Sequence, residues 1–296
     1  MSGSVVVGVD GSASALAASE VAGREAHLRD AELHVVHAFT WPATHVPAGA
    51  SPLGPPAGGV RESVERLLAE AVERAQAAAP GVRATSAVML GEPATALEAA
   101  SRSAQLLVVG HRGAGGLRGL LVGSTAVQLA AHSHCPVMVV RDAGEPAGPM
   151  VVAVDGSPGG QGAIAFAFVE AQLRGSELVA LHAWSTWSDH GESAGPDHPV
   201  ELVDLVGDVD RMRAEEEQLL AKAVSGHRDQ HPEVTVRMRV VRGRTRPALV
   251  EASRSAQLIV VGARGRGGFA GLLLGSVSQA VLHHAHCPVA VVRAGL

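Results

Sequence analysis

The chain has 296 residues, of which 47% are hydrophobic and 18% charged, and its net charge is -5. This composition excludes a disordered chain and predicts two domains, since a domain usually has about 100–200 residues. The negative charge, without a local run of arginines, argues against nucleic acid as a partner. With 2 cysteines and no long apolar run, we expect a cytoplasmic protein with reduced thiols and no membrane segment.

Strands and helices alternate along the first half. Short apolar runs predict strands over residues 5–9, 33–38, 84–90, 106–109 and 137–140. Apolar residues at helical spacing predict helices from about residue 14 and over 62–79, 95–103 and 124–131. Such alternation leads to parallel pairing through right-handed crossovers. We therefore predict an α/β fold in which each half is a five-stranded, doubly wound parallel sheet.

The second half repeats the first. Residues 101–141 and 253–293 are identical at 26 of 41 positions without a gap. VVVGVDGS at 5–12 has its counterpart in VVAVDGSP at 151–158, and VVHAF at 35–39 in ALHAW at 180–184. Two copies with a period of about 150 residues indicate a domain duplication. We expect domains at 1–143 and 149–296, joined by the Gly/Pro-rich stretch GEPAGP at 144–149.

Two motifs follow strands whose carboxyl ends lie at one edge of the predicted sheet. Asp10 follows the first strand, and the loop VVGHRGAGGLRGLLVGS at 108–124 follows the fourth. Ligands of open parallel sheets bind outside the carboxyl ends of the strands. The helix after the loop would direct free N–H groups at this space, which suits a phosphate. Arg112 would add a charge-assisted contact, and Ser124 would offer a hydroxyl and cap the helix.

Two familiar nucleotide loops do not match this sequence. The P-loop requires a lysine, and the single lysine of the chain is Lys222, far from either glycine loop. The dinucleotide fingerprint follows a first strand, whereas this loop follows the fourth. The spacing that fits is G-x2-G-x9-G-S, formed by Gly110, Gly113, Gly123 and Ser124, and again by Gly262, Gly265, Gly275 and Ser276.

With VDGS after the first strand and HA after the second, this loop resembles the universal stress protein family in its tandem, ATP-binding form. The resemblance covers nearly the whole chain except the middle loop of each half. It implies two Rossmann-like domains of the adenine nucleotide alpha hydrolase type, each binding ATP, to which Mg²⁺ can bind through the phosphate oxygens. It also implies a nucleotide-dependent stress-response regulator with a protein partner. The last strands, VMVVR and VAVVR, would pair within the chain, and two chains would form a homodimer.

The binding residues of the family transfer to this chain position by position. Asp10 would contact the ribose or the adenine, and the backbone near Val9 and Ala38 would meet the adenine ring. The ribose and phosphates would lie against Gly110, Arg112, Gly113, Gly123, Ser124 and Thr125. The matching positions in the second half are Val154, Asp155, Ala183, Gly262, Arg264, Gly265, Gly275, Ser276 and Val277. The pairs His111/Ala263, Ala114/Arg266 and Arg118/Ala270 would make the two sites unequal.

Other interpretations stay open at this point. Asp10 and Asp155 also fit a turn or helix-capping role in DGS. A slow ATPase or a nucleotidyl- or phosphoryl-transferring enzyme is the alternative function, but efficient turnover is not expected, because neither a lysine nor a carboxylate pair lies at the loop. The histidines of HSHC (132–135) and HHAHC (283–287) converge poorly as metal ligands, because alternate strand residues face opposite ways.

Overall fold

A computed structural model of the protein describes residues 3–39, 59–114, 122–141, 148–185, 202–266 and 273–295. The first half contains β1 (Ser4–Gly8), α1 (Ala13–Leu28), β2 (Leu33–Phe39), α2 (Gly59–Ala78), β3 (Ala84–Leu90), α3 (Pro93–Ala100), β4 (Ala104–Gly110), α4 (Ser124–His132) and β5 (Val137–Val140). The second half contains β6 (Met150–Ala153), a 3₁₀ turn (Pro158–Gly160), α5 (Gln161–Arg174), β7 (Leu178–Trp184), α6 (Leu202–Gln230), β8 (Val236–Arg242), α7 (Thr245–Ala252), β9 (Leu258–Gly262), α8 (Ser276–His284) and β10 (Val289–Val292).

All ten strands form one sheet in the order β3-β2-β1-β4-β5-β10-β9-β6-β7-β8. The strands of each half pair in parallel, which confirms the predicted α/β fold with a doubly wound sheet in each half. The halves join through antiparallel β5 and β10, where Val139 lies opposite Val289. In each half the strand order reverses beside the first strand, between β1 and β4 and between β6 and β9. These two switch points are where a doubly wound sheet opens a crevice for a ligand.

Apolar side chains fill a layer on each face of the sheet. One layer packs β1, β2 and their counterparts against α1, α2, α5 and α6, and the other packs the sheet against α3, α4, α7 and α8. The central strands β5 and β10 are buried along their whole length, as expected for strands covered on both faces. None of the helices in the described part of the chain combines the length and apolarity needed to span a bilayer.

Gly23 lies in the middle of α1, where this helix packs closely on α2. A Cβ at this position would stand 2.4 Å from the carbonyl oxygen of Ala75. We expect Gly23→Ala to lower the free energy of unfolding by about 1–3 kcal/mol, although alanine is the better helix former. Gly226→Ala in α6 is the control, because a Cβ there meets nothing within 4 Å, and it should raise this free energy by about 0.5–1 kcal/mol. Urea denaturation measures both values, and equal effects would contradict this account.

Four charged side chains lie buried where the two halves meet. Glu25 and Arg29 at the end of α1 contact Glu170 and Arg174 at the end of α5, and each carboxylate contacts both guanidinium groups. At most 13% of any of these side chains is exposed. Burial and the neighbouring Glu25 raise the pKa of Glu170. Burial would lower the pKa of Arg174, but the two carboxylates outweigh it and raise that pKa. We call these four residues the ion-pair ring.

Two further arginines, one from each half, donate hydrogen bonds to the end of a helix in the other half. Arg141, directly after β5, donates to the carbonyl oxygens of Leu282 at 2.6 Å and His283 at 3.2 Å, at the end of α8. Arg293, directly after β10, donates to the carbonyl oxygens of His132 at 2.7 Å and Ser133 at 2.9 Å, at the end of α4. Each guanidinium satisfies helix carbonyls that have no partner within their own helix and complements the negative end of the helix dipole.

Both cysteines are buried and free, as the sequence predicts. Cys135 and Cys287 stand just before β5 and β10, where burial raises the pKa of each thiol to about 12. Their thiols therefore stay protonated, and they serve as small apolar residues at the entrance to the central strands.

Candidate functional site

One aspartate at each switch point links the turn after the first strand of that half to the glycine loop. The carboxylate of Asp10, two residues beyond the end of β1, accepts hydrogen bonds from the backbone N–H of Ser12 at 3.0 Å and of Ala114 at 2.7 Å. Asp155 accepts the matching pair in the second half, from Ser157 at 2.9 Å and Arg266 at 3.0 Å. Asp10 and Asp155 therefore have the turn role that the DGS motif suggests. The same carboxylates also hold the glycine loop against the end of the first strand.

Contacts within the chain explain why glycine occupies the first two positions of the G-x2-G-x9-G-S spacing. A Cβ at Gly110 would stand 2.5 Å from the hydroxyl of Ser14 in the first turn of α1. At Gly113 it would stand 2.6 Å from the Asp10 carboxylate, and at Gly265 it would stand 2.4 Å from the Asp155 carboxylate. Gly262 is less crowded, with 3.2 Å to the carbonyl oxygen of Arg264. These glycines serve the close approach of loop and turn, so they do not by themselves point to a ligand.

The third glycine of the spacing differs, because no described residue around it requires glycine. Gly123 and Gly275 have ordinary extended backbone angles, with φ of -72° and -68°. A Cβ would find its nearest neighbour at 3.7 Å for Gly123 and at 3.4 Å for Gly275, which are ordinary contact distances. Both glycines therefore keep a space open before the first turns of α4 and α8 that no described part of the chain fills.

The first turns of α4 and α8 begin directly behind these glycines. The N–H of Gly123 donates to the carbonyl oxygen of His111 at 2.8 Å, and Gly275 bonds Ala263 in the same way. The helices start at Ser124 and Ser276, so the N-cap position falls on the glycine. The prediction that Ser124 caps the helix is wrong, because this residue already belongs to the first helical turn. The first-turn N–H groups, without a capping side chain on the glycine, suit an anion.

The histidine of each HA motif holds the end of the first strand. The Nδ1 atom of His37 lies 2.8 Å from the carbonyl oxygen of Val9, and that of His182 lies 2.6 Å from the carbonyl oxygen of Val154. Because a carbonyl only accepts, Nδ1 carries the hydrogen in both rings. This contact was not predicted, although the repetition of HA in both halves was a signal for it. Ala38 and Ala183 follow, half-buried, at the ends of β2 and β7.

The remaining predicted residues line the same edge with different exposure. Exposed positions are Arg112, Ser124, Arg264 and Ser276, and half-buried positions are Thr125 and Val277. Outside the described residues lie Gly115, Gly116, Gly119, Arg118 and Ala270, together with residues 40–58 in the middle loop of the first half. In the second half, the middle loop is bounded by Trp184, which ends β7, and by Leu202, where α6 begins.

The two sites differ in the side chains around this common frame. In the first, the hydroxyl of Ser14 lies 3.0 Å from Nδ1 of the buried His111, whereas Gly159 and Ala263 stand at the matching positions of the second. In the second, Nε2 of His182 lies 2.8 Å from a carboxylate oxygen of Glu216 on α6. The difference at His111 is predicted from the sequence, whereas neither side-chain pair is.

The fold and the repeated edge motifs define a tandem α/β protein with two matching switch-point sites. The sequence model of the universal stress protein family matches residues 1–141 and 147–293. A universal stress protein of Mycobacterium bovis is 38% identical over 314 residues, covering 98% of this chain and 94% of the relative. One from Mycolicibacterium smegmatis is 36% identical, covering 98% and 96%. The chain belongs to the universal stress protein family and carries two tandem copies of its domain.

Solved structures agree with this fold. A universal stress protein from Archaeoglobus fulgidus aligns with a TM-score of 0.68 at 20% identity and covers 100% of this chain and 97% of its own. A universal stress protein in complex with cAMP covers 47% of this chain and 96% of its own, at 31% identity. Its TM-score of 0.36 is too low for its ligand contacts to be transferred to this chain.

Proposed function

We propose that each half of the chain binds one ATP molecule at its switch point, and that ATP occupancy regulates the stress response through a protein partner. The observation that carries this proposal concerns Gly123 and Gly275, where neither the backbone angles nor the atoms of the described residues nearby require a glycine. Glycine in such a position permits a ligand to approach the backbone closely. The ligand class follows from the first-turn N–H groups behind each glycine, which favour phosphate.

The remaining groups of each site suit the other parts of ATP. The carbonyl oxygen of Val9 and the backbone of Ala38 would border the adenine ring, and Asp10 would accept a ribose hydroxyl with its remaining lone pairs. The phosphates would lie before Ser124 and Thr125, with Arg112 adding positive charge. Mg²⁺ would be held by the phosphate oxygens, which are the hard ligands it prefers. The second half offers Val154, Asp155, Ala183, Arg264, Ser276 and Val277 for the same roles.

A regulator fits this edge better than an enzyme. Each oxygen of the Asp10 carboxylate already accepts a backbone N–H, which makes this residue a fixed acceptor and not a general base free to take a proton. Asp155 is bonded in the same way. Phosphoryl transfer also needs a cationic clamp and a positioned nucleophile. The alternative is an enzyme, either a slow ATPase or a nucleotidyl- or phosphoryl-transferring protein, and turnover above about 1 s⁻¹ would favour an enzyme over a regulator.

Purified protein is expected to carry adenine nucleotide. Heat denaturation should release close to one ATP or ADP for each half, because both halves share the same frame, and anion-exchange chromatography of the supernatant measures the amount. Protein stripped of nucleotide should then bind ATP in calorimetry with the same stoichiometry. Protein that releases none and shows no heat with ATP would overturn the proposal.

Three further features belong to the same proposal. The domains extend over 1–143 and 149–296, and the protein acts in the cytoplasm. Two chains associate into a homodimer, beyond the pairing of β5 and β10 within each chain. Light scattering after size exclusion tests the homodimer directly, since a mass of 30.2 kDa would correspond to a single chain.

A further inference from the structure

We propose that two copies of this chain associate through β3, which pairs antiparallel with β3 of the partner subunit. This inference rests on the homodimer of the proposed function and assigns the interface of that homodimer. The two ten-stranded sheets would then meet edge to edge across a two-fold axis. A single surface on each chain is enough for such a contact, because a two-fold interface uses the same patch of both subunits.

The outer edge of β3 carries backbone groups that pair with no strand in the described part of the chain, because β3 ends the sheet on this side. The N–H of Leu33 donates to the carbonyl oxygen of Arg83 at 2.8 Å. The N–H of Gly91 donates to the carbonyl oxygen of Phe39 at 3.0 Å. Because the bonding direction alternates along a strand, the odd-numbered residues of β3 face β2. The N–H and C=O groups of the even-numbered residues point away from the sheet, at Ala84, Ser86, Val88 and Leu90.

The opposite edge of the sheet is protected by charge, whereas β3 is not. β8 ends the sheet on that side, and its sequence VRMRVVR contains three arginines. Charged side chains on an edge strand hinder its pairing with another chain. β3 reads ATSAVML without a charge, and exposed Thr85 and Ala87 occupy the positions of Arg237 and Arg239 in β8. The chain therefore blocks one edge of its sheet and leaves the other open to a strand.

The side chains of β3 favour one antiparallel register. Leu90 is 64% exposed at one end of the strand, and the small Ala84 stands at the other. Hydrogen-bonded residues of an antiparallel pair must both face the partner, so Leu90 can lie opposite Ala84 and Ser86 opposite Val88. Each exposed leucine is then covered in the dimer without a clash. The two-fold axis passes beside Ala87, which meets Ala87 of the partner subunit in a pair without hydrogen bonds.

Charges of opposite sign flank β3 and agree with this register. Arg83 precedes the strand and Glu92 follows it after one residue, and both are exposed. Arg83 lies 3.6 Å from Glu32 of its own chain and keeps 66% of its side chain exposed. In the proposed register Arg83 stands beside Gly91 of the partner subunit and next to Glu92 of the partner subunit. Exposed pairs of this kind add little affinity, but they set orientation and register.

Removal of one outward N–H tests the pairing. Ser86→Pro deletes an N–H that faces the partner and leaves the bonds to β2 intact, so the chain should fold, since edge strands tolerate proline. The two-fold axis repeats the loss, and we expect Kd of the dimer to rise about 10- to 100-fold. Met238→Pro is the matched control, because it makes the same change on β8 and should leave the dimer intact. Light scattering after size exclusion of a dilution series measures the mass, and circular dichroism checks the fold.

Ala87 provides two further readouts that act in opposite directions. Ala87→Arg sets two like charges face to face across the axis and should raise Kd of the dimer about 100-fold. The matching position of β8 already holds Arg239, so the fold accepts this side chain. Ala87→Cys should cross-link two chains on oxidation, because the Cα atoms of such a pair lie about 4.5 Å apart, within the range of a disulfide. Arg239→Cys should not cross-link, and the native cysteines are buried.

The expected mass is twice 30.2 kDa for the unmodified chain and 30.2 kDa for Ser86→Pro after dilution. A dimer that survives both Ser86→Pro and Ala87→Arg, without cross-linking through Ala87→Cys, would overturn this inference and leave the homodimer standing. A mass of 30.2 kDa for the unmodified chain at every concentration would overturn the homodimer and this inference together. The ATP sites would be untouched by that result, because nucleotide release measures them separately. Growth beyond two chains would indicate head-to-tail pairing of β3 with β8 and would overturn the closed pair.

Discussion

An Arg174→Met protein is expected to lose about 3–5 kcal/mol of unfolding free energy, the cost of leaving a buried charge without its partner. Arg174 contacts both Glu25 and Glu170, and no more than 5% of either carboxylate side chain is exposed. Removal of the guanidinium leaves two buried carboxylates to share Arg29 alone. Because burial already raises the pKa of Glu170, the loss should be smaller at acidic pH, where this carboxyl is protonated, and larger as the pH rises.

Urea denaturation monitored by circular dichroism measures this loss. Arg74→Met is the matched control, because Arg74 also pairs with a glutamate of α1, Glu20 at 3.0 Å, but both side chains are exposed. Its cost should be about 0–1 kcal/mol. Replacement of all four members of the ion-pair ring by apolar residues of similar size should recover most of the stability. If Arg174→Met costs no more than Arg74→Met, the ring does not hold the halves together.

A Gly123→Ala protein is expected to fold normally and to lose ATP at its first site. The added Cβ has room among the residues that the structure describes, 3.7 Å from the nearest of them, and the backbone angles suit any residue. Stability should therefore change by less than about 1 kcal/mol. The same methyl group enters the space in front of α4, where it keeps phosphate away from the first-turn N–H groups. We expect Kd for ATP at this site to rise about 100-fold.

Calorimetry should then find one strong site in place of two, and Gly275→Ala should remove the other. The double variant should bind no ATP in the same range, whereas Gly226→Ala on the exposed side of α6 should bind as the unmodified chain does. Gly113→Ala gives the useful contrast, because its Cβ would stand 2.6 Å from the Asp10 carboxylate and so disturb the loop itself. Unchanged binding in both Gly123→Ala and Gly275→Ala would show that the ligand lies elsewhere.

The elements of the sheet followed from local patterns with small errors. The strands Ala84–Leu90 and Val137–Val140 agree with their predicted ranges, because each is an apolar run bounded by turn residues. Helix α3 was expected two residues late and ends before its predicted limit, since Pro93 occupies its first turn and Ser101 closes it. The pairing of β5 with β10 was implied by the family resemblance, and the structure contains it.

Two sets of charged contacts could not be predicted from the sequence. Glu25 and Arg29 are four residues apart on one helix, as are Glu170 and Arg174, and this spacing is typical of solvent-exposed pairs. Because these side chains are buried between the two halves, they form the ion-pair ring that joins α1 to α5. Glu216 and His182 are 34 residues apart, and only the packing of α6 over β7 brings them to 2.8 Å.

The sequence by itself determined the duplication, the doubly wound sheet and the edge at which a ligand would bind, because these depend on the order and period of residues along the chain. Only the tertiary structure decided which glycines are required by close contacts within the chain and which leave space for a ligand. It also decided which charges are buried and how the two sites differ. The physical reason is that steric approach, burial and hydrogen bonding are properties of groups that meet in space, and such contacts leave no periodic pattern in the sequence.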